Sequence, residues 1–491
     1  MSSNQVHRNA SRKASITIVE LHPPFVDFPN HSDNILQIVR LVCAFMSHVP
    51  ACGKLHLFVL KVISRRGKQR ESYAALGDGR SVALAGSDGS IDWWCVPNMD
   101  SPPLFDRLIA PGSGGYFSIT PSEPFSAERR YAPDSNVLQT IFTTAYGKAC
   151  VVESLNSGPG GRLPWAELAR RVVGLEGEVT FNIVLRFGTQ AGTIFPYISP
   201  TSNGSVFHAG KILGMFLHGP LPRMEVEDDM GARASLTVAK GQRETLALIA
   251  GRDEPLVVPS LDLIDQRIDG SEREWKQWAS SLTYQGKYNN LVSRSALALK
   301  LLISSPSGAL MAAATTSLPE RIGGDKNYDY RFAWIRDAGY TIGAFLIIGA
   351  LPEAKAAFTW LIHRLREHGP HVCYTLDGQL ANDAHKLNLP GYKRSQPMTG
   401  NDAAAQLQHG IYGDIFETTK NFINAGNILD YPSAVILSSL AEQCADGWMR
   451  KDSGIWELPE LEHYTMSKIS CWQALSCAVD LADSGHLPKT F

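Results

Sequence analysis

The sequence has no surplus of charge of either sign. Its 46 Lys and Arg stand against 48 Asp and Glu, for a formal net charge of −2. That excludes the basic footprint by which nucleic-acid binders neutralise phosphate, and a small neutral or polar substrate fits the balance better than a polyanion. Long hydrophobic runs are also lacking. The apolar-rich stretch 35–63 is interrupted by Arg40, His48, Pro50, Lys54 and His56. It falls short of the ~18 or more apolar residues expected of a membrane span. Cysteine is scattered. The 8 thiols, at positions 43, 52, 95, 150, 373, 444, 471 and 477, form no C-x-x-C pair and no Cys/His cluster at metal-ligand spacing. No zinc site is expected, and buried free thiols in a reducing, cytoplasmic compartment are.

What is present is an ordinary globular composition, 44% hydrophobic and 19% charged. The 491 residues suffice for about two to four domains, each able to bury a core. Residues 1–19 carry Arg8, Arg12, Lys13, several serines and no acid, the makeup of a transit peptide. A basic cluster, Arg65-Arg66-Gly67-Lys68-Gln69-Arg70, closes this region. Residues 1–70 read as an N-terminal extension of unknown role that carries no chemistry.

From about residue 73 the punctuation changes. Gly77-Asp78-Gly79 and Asp88-Gly89-Ser90 are turn signals flanked by short apolar stretches, 82–84 and 91–96. Similar runs recur at 115–119, 137–143, 149–155, 179–187, 205–207, 234–238 and 245–250. Many short strands with regular turns predict a β-sandwich, assigned to 73–270. Beyond 270 the period is helical. Leu291, Ala298 and Leu302 mark a first helix, and Ile342, Phe345 and Gly349 a second that starts near Asp337. Ala357, Leu361 and Leu365 mark a third. Leu407, Ile411, Ile415 and Phe422 mark a fourth, with Asn401 or Asp402 placed to cap it. Ile436, Leu440 and Cys444 make a fifth. Ile469, Trp472 and Val479 make a sixth, with Thr465 as its cap. This is a helical array with a site built on loops at one end.

Two loop segments carry chemistry. The first is the run Asn327-Tyr328-Asp329-Tyr330-Arg331-Phe332-Ala333-Trp334-Ile335-Arg336-Asp337. An indole offers pyranose C–H groups a flat apolar face, Arg donates in a fixed fork, and ionised Asp accepts from two hydroxyls. By itself the run fits a sugar clamp and a helix start with a buried Arg–Asp pair equally well. The second is Asp452-Ser453-Gly454-Ile455-Trp456-Glu457-Leu458. Inverting glycosidases need two carboxyl groups about 6.5–9.5 Å apart, one of them an acid kept protonated, commonly by an apolar wall. Glu457 directly follows Ile455 and Trp456, which supply such a wall on this reading. The competing reading is a surface Glu at a loop edge.

Four ordered blocks together resemble bacterial-type glycoside hydrolase family 15, the glucoamylase and trehalase-like enzymes. They are Tyr73–Arg80 with Ser87–Trp93 and Asp100-Ser101-Pro102, Thr315–Asp337, Gly400–Gln408, and Asp452–Glu457 followed by Ser467-Lys468 and Cys471-Trp472. The resemblance covers roughly 400 residues and implies an N-terminal β-sandwich followed by an (α/α)6 six-hairpin barrel, assigned to 271–491. It implies inverting hydrolysis of a terminal α-glucosidic bond, in trehalose or malto- or isomalto-oligosaccharides, with no metal or organic cofactor. Glu457 matches the general acid. Arg336 and Asp337 match the pair that holds the non-reducing-end glucose, Trp334 lines that subsite, and Asn401, Gln406 and Trp456 complete the candidate substrate-binding set. Tyr328, Asp402 and Met466 depart from the common pattern.

The larger departure concerns the general base. In the family it lies in a later helix–loop unit, and about six helices are counted here where the barrel has twelve. Glu417, Glu442, Glu460 and Glu462 sit in no base-like segment, and Glu417 and Glu442 read as solvated helix faces. The expectation is thus an incomplete barrel, truncated at its C-terminus, with an acid but no base. Such a half barrel exposes apolar helix faces. The alternatives are a carbohydrate-binding remnant without turnover and a purely structural helical-repeat scaffold.

Overall fold

The computed structural model describes residues 73–488, apart from 158–162, 203, 220–224 and 325–326. The extension 1–70 and its basic cluster lie outside the described residues. Strands come first. β1 (Ala74–Gly77), β2 (Val82–Ala85), β3 (Ser90–Cys95), β4 (Pro103–Phe105) and β5 (Tyr116–Pro121) build one antiparallel layer with β13 (Glu225–Asp228) and β14 (Gly231–Ala239). A second layer holds β6 (Ser126–Tyr131), β7 (Leu138–Thr143), β8 (Gly147–Leu155), β10 (Tyr197–Thr201), β11 (Gly204–Ala209), β12 (Ile212–His218) and β15 (Arg243–Arg252).

The 21-residue β9 (Ala166–Arg186) joins the layers. Its first half pairs β8 and β15, and its second half pairs β5 and β14. Alternation along the strands sends Phe117, Phe181, Phe207 and Phe216 into one shared core. The Phe187 and Phe207 rings stack at 4.3 Å. β6 was not marked by the apolar pattern, because Ser-Ala-Glu-Arg-Arg-Tyr is a largely solvated edge strand.

Helices follow. α1 (Leu261–Ser280) starts at Ser260, whose side chain accepts from the Leu263 N–H, and runs across the expected 270/271 boundary. It lays Ile264 and Ile268 on the outer face of the second layer, against Val152, Met215 and Ile249. Then come α2 (Asn289–Lys300), α3 (Ile335–Ile348), α4 (Leu351–His368), α5 (Gly410–Asn424), α6 (Tyr431–Gly447) and α7 (Thr465–Asp483). α3, α5 and α7 pack side by side, with α4 against α3 and α6 against α7. Two glycines permit this closeness. A Cβ on Gly339 would come within 2.6 Å of Thr418 Oγ1, and one on Gly413 within 3.0 Å of Ser470 Cβ.

One core runs from Val82, Leu84 and Trp93 of the β domain through Ile342, Phe345 and Leu361 to Leu437 and Cys471. On α7 the expected apolar face is corrected. Ser470, Cys471, Ala474, Cys477 and Ala478 are buried, whereas Ile469, Trp472 and Val479 are exposed, Trp472 by 70%. Both sides of this helix are apolar, and the smaller residues allow the closer approach to α5. Cys95, Cys150, Cys373, Cys444, Cys471 and Cys477 are buried free thiols. No helix among the described residues is long and apolar enough to cross a membrane.

Candidate active site

The run before α3 is extended, so alternate side chains part company. Tyr328, Tyr330, Phe332 and Trp334 form one aromatic cluster, with Tyr330 and Phe332 ring centroids 5.7 and 6.2 Å from Trp334. Asp329 and Arg331 turn toward the β domain. Arg331 grips Asp329 through Nε at 3.0 Å and Nη2 at 2.8 Å, and its Nη1 donates to the Ser101 carbonyl at 2.9 Å. The Trp93 indole donates to the Ala314 carbonyl at 2.9 Å. Two-pronged, charge-assisted contacts of this kind set direction as well as energy, so the β domain orients the run.

β16 (Ala333–Trp334) pairs β17 (Cys373–Tyr374), and α3 begins at Ile335 with Trp334 as its extended cap residue. Trp334 is therefore 0% exposed, enclosed with Tyr330, Phe332, Val372 and Cys373. It offers no open face to a sugar, which corrects its expected place in the lining.

Arg336 and Asp337 occupy the first turn of α3, where a carboxylate complements the helix dipole. Arg336 Nε lies 3.6 Å from Asp337 Oδ2, and its Nη2 lies 3.5 Å from Glu457 Oε1. The fold thus joins the two segments singled out from the sequence. Burial works to lower the Arg336 pKa, but Asp337, Glu457 and Asp414 outweigh it and raise the pKa, so the guanidinium stays charged.

Glu457 sits in a tight loop. Gly454 has φ +62, and a Cβ there would meet the Tyr464 ring at 2.7 Å. The Glu457 N–H donates to the Gly454 carbonyl at 3.2 Å, and the Leu458 N–H to the Ser453 carbonyl at 3.0 Å. Glu457 itself adopts φ +58, a left-handed conformation that costs a side-chain-bearing residue roughly 1–2 kcal/mol. Non-glycine residues held this way cluster at functional sites. Its side chain is 23% exposed. Trp456 is 61% exposed, so its ring does not wall off the carboxyl as the sequence suggested.

The other expected residues bond backbone groups. Asn401 is buried, donating through Nδ2 to the Asp329 carbonyl at 3.0 Å and accepting from the Ala403 N–H at 2.9 Å. It caps a short 3-10 turn, Asp402–Ala405, not α5, whose cap residue is His409. Gln406 donates to the Glu457 carbonyl at 3.4 Å. Asp402 is exposed and accepts from the Ala384 N–H at 2.7 Å. Tyr464, not Thr465, is the cap residue of α7.

Asp414 escaped the sequence reading. It lies on α5, and burial pushes its carboxyl up to about 7, opposed by Arg336 and reinforced by Glu417 and Asp337. Burial, then Glu457, likewise pushes the Tyr330 phenol above its ordinary range. The one sequence signal for Asp414 was an acid between Gly413 and the apolar stripe. Glu417 is half-buried and accepts from Gln473 at 2.9 Å, so it is not the solvated face expected of it. Glu442 and Glu460 are exposed, and Glu462 pairs with Lys451 at 3.0 Å. Among the described residues no cluster of His, Cys, Asp and Glu is suited to a metal ion.

A layered β domain ahead of close-packed helices is the fold of a class that includes a bacterial glucoamylase solved with acarbose. That structure matches with a TM-score of 0.56 at 11% identity, over 86% of this chain and 68% of the other. Residues 286–490 match the model of glycosyl hydrolases family 15, and residues 62–244 that of the trehalase-like N-terminal domain. The chain is 31% identical to a trehalase of Thermoplasma acidophilum over 411 residues, 81% of this chain and 69% of that protein. It is 30% identical to a trehalase of Thermoplasma volcanium over 416 residues, 83% of this chain and 66% of the relative. A trehalase of Mycolicibacterium smegmatis matches at 30% over 443 residues, 84% and 66%. The chain belongs to glycosyl hydrolase family 15. It spans about two thirds of the length of the curated relatives it matches.

Proposed function

We propose that this protein acts on terminal α-glucosidic bonds, in trehalose or malto- or isomalto-oligosaccharides, by single displacement with inversion. The observation that carries the reading is the approach of Arg336 to Glu457 at 3.5 Å, with Asp337 on the same guanidinium. A fork donor and a carboxylate acceptor hold the hydroxyls of a terminal glucose. Glu457 beside them protonates the departing oxygen once bound sugar takes its place on Arg336, since the charged guanidinium alone favours the ionised carboxyl. Trp456 supplies the apolar face for the pyranose. α3 to α7 are read as hairpins of an (α/α)6 barrel.

No described carboxyl is assigned here as the general base. The names of the relatives support trehalose as the first substrate to try. Purified chain is incubated with trehalose and with maltose, and the product anomer is followed by NMR. β-Glucose is expected, and Glu457→Gln is expected to lower turnover by about 10²–10⁴ while sugar binding persists. Product with retained configuration, or turnover unaffected by Glu457→Gln, overturns the reading. Binding without any turnover leaves a carbohydrate-binding protein.

A further inference from the structure

The left-handed Glu457 is held from outside its own loop. Its carbonyl accepts from Gln406 Nε2 at 3.4 Å, and Gln406 Oε1 accepts from Gln408 Nε2 at 3.0 Å. A carbonyl can only accept, so Gln406 must turn its NH2 toward residue 457 and its oxygen toward Gln408, which must then donate. Both amide orientations are thereby determined. Gln408 is buried, so it is not free to swing away. The same segment grips the loop at two more points. The Ser453 N–H donates to the Leu407 carbonyl at 2.9 Å, and the His409 N–H to Asp452 Oδ2 at 2.8 Å.

Between these anchors the backbone at 457 is the only strained part, and glycine cannot relieve it because the position needs its carboxyl. We propose that Gln406 and Gln408 are positioning residues, a two-amide relay that clamps the Glu457 carbonyl and so aims its carboxyl at Arg336. Gln406 then acts through Glu457 and not by touching the sugar. The inference rests on the reading of Glu457 as the acid.

The test compares Gln406→Leu, Gln408→Leu and the double variant in the full chain, by crystallography and by kinetics on trehalose. In Gln406→Leu the residue at 457 is expected to leave the left-handed region and its carboxyl to leave Arg336. The rate constant kcat is expected to fall on the order of 10- to 100-fold, the effect of misplacing a reacting group, with KM and Tm close to those of the parent. Gln408→Leu should act in the same direction, and the double variant should be no worse than Gln406→Leu, because the two side chains act as one unit. A Glu457 that keeps its backbone and its place beside Arg336 in Gln406→Leu overturns the proposal, as does full additivity. If the carboxyl moves as expected while Glu457→Gln leaves turnover intact, the relay stands and the acid assignment fails. Should Gln406→Leu not fold, Gln408→Leu decides by the same structural criterion.

Discussion

The core of the β domain and the start of α3 treat buried charge in opposite ways. In the β domain the fully buried charges Glu153, Arg170 and Glu167 each meet a close opposite. Glu153 and Arg170 are both fully enclosed and 2.8 Å apart. Glu167 takes the Arg267 guanidinium through both oxygens, and the less buried Arg171 reaches Asp265 and Asp269, each at 2.7 Å. At the start of α3 the stoichiometry breaks down. One guanidinium, Arg336, faces Glu457 at 3.5 Å and Asp337 at 3.6 Å and also feels the charge of Asp414. Those separations exceed the ~2.7–2.9 Å of a settled charge-assisted hydrogen bond. Matched pairs are what a stable scaffold needs. A loose surplus of carboxylates around one cation is what a polar ligand can complete.

The contrast can be broken by experiment, and the largest effect belongs to the scaffold. Arg170→Met strands Glu153 in the core and should cost about 3–5 kcal/mol in unfolding free energy, read by denaturant titration. Sugar affinity of the folded fraction should not change. An equal loss of affinity would mean that the two regions are not separable.

Asp337→Asn should do the reverse, weakening α-glucoside binding by about 1.5–3 kcal/mol in calorimetry with little change in stability. Unchanged affinity would sink the clamp assignment. The smallest effect is a pH trend. The Asp414 pKa is raised by burial from the ordinary aspartate range to about 7. Its contribution to stability is therefore fully present below about 4 and is lost as pH rises through about 7. Asp414→Asn lacks that loss, so its Tm relative to the parent should climb across this window. A constant difference would show that Asp414 is not held protonated by the fold.

Nine of the fifteen strands of the β domain were legible because alternation and turn residues are local signals, whereas β1, β4, β10, β12, β13 and the first half of β9 were passed over. The polar edge strand β6 was missed as well, since a solvated edge carries no apolar stripe. α1 was obscured for a related reason. Its buried face includes Arg267, which finds Glu167 on a strand a hundred residues earlier. In the site, residue type pointed to the right segments but not to the depth of each side chain. Trp334 and Trp456 look equivalent as sugar-stacking candidates, yet pairing of β16 with β17 encloses the first and the loop leaves the second in solvent. Asn401 looked like a cap of α5 or a sugar ligand, and its amide instead caps the short 3-10 turn through Ala403 and donates to Asp329.

The sequence by itself determined a β-rich region followed by helices, and the two loop segments that carry Arg336-Asp337 and Glu457. Periodicity and turn chemistry act over a few residues, so a single chain states them directly. Only the tertiary structure decided that those segments meet, which face of α7 is covered, and that Glu457 is held left-handed by Gln406. Each of these depends on how closely helices approach at Gly339 and Gly413, and on contacts between groups far apart in the chain. No local pattern encodes such distances, because they are set by which surfaces pack once every element has formed.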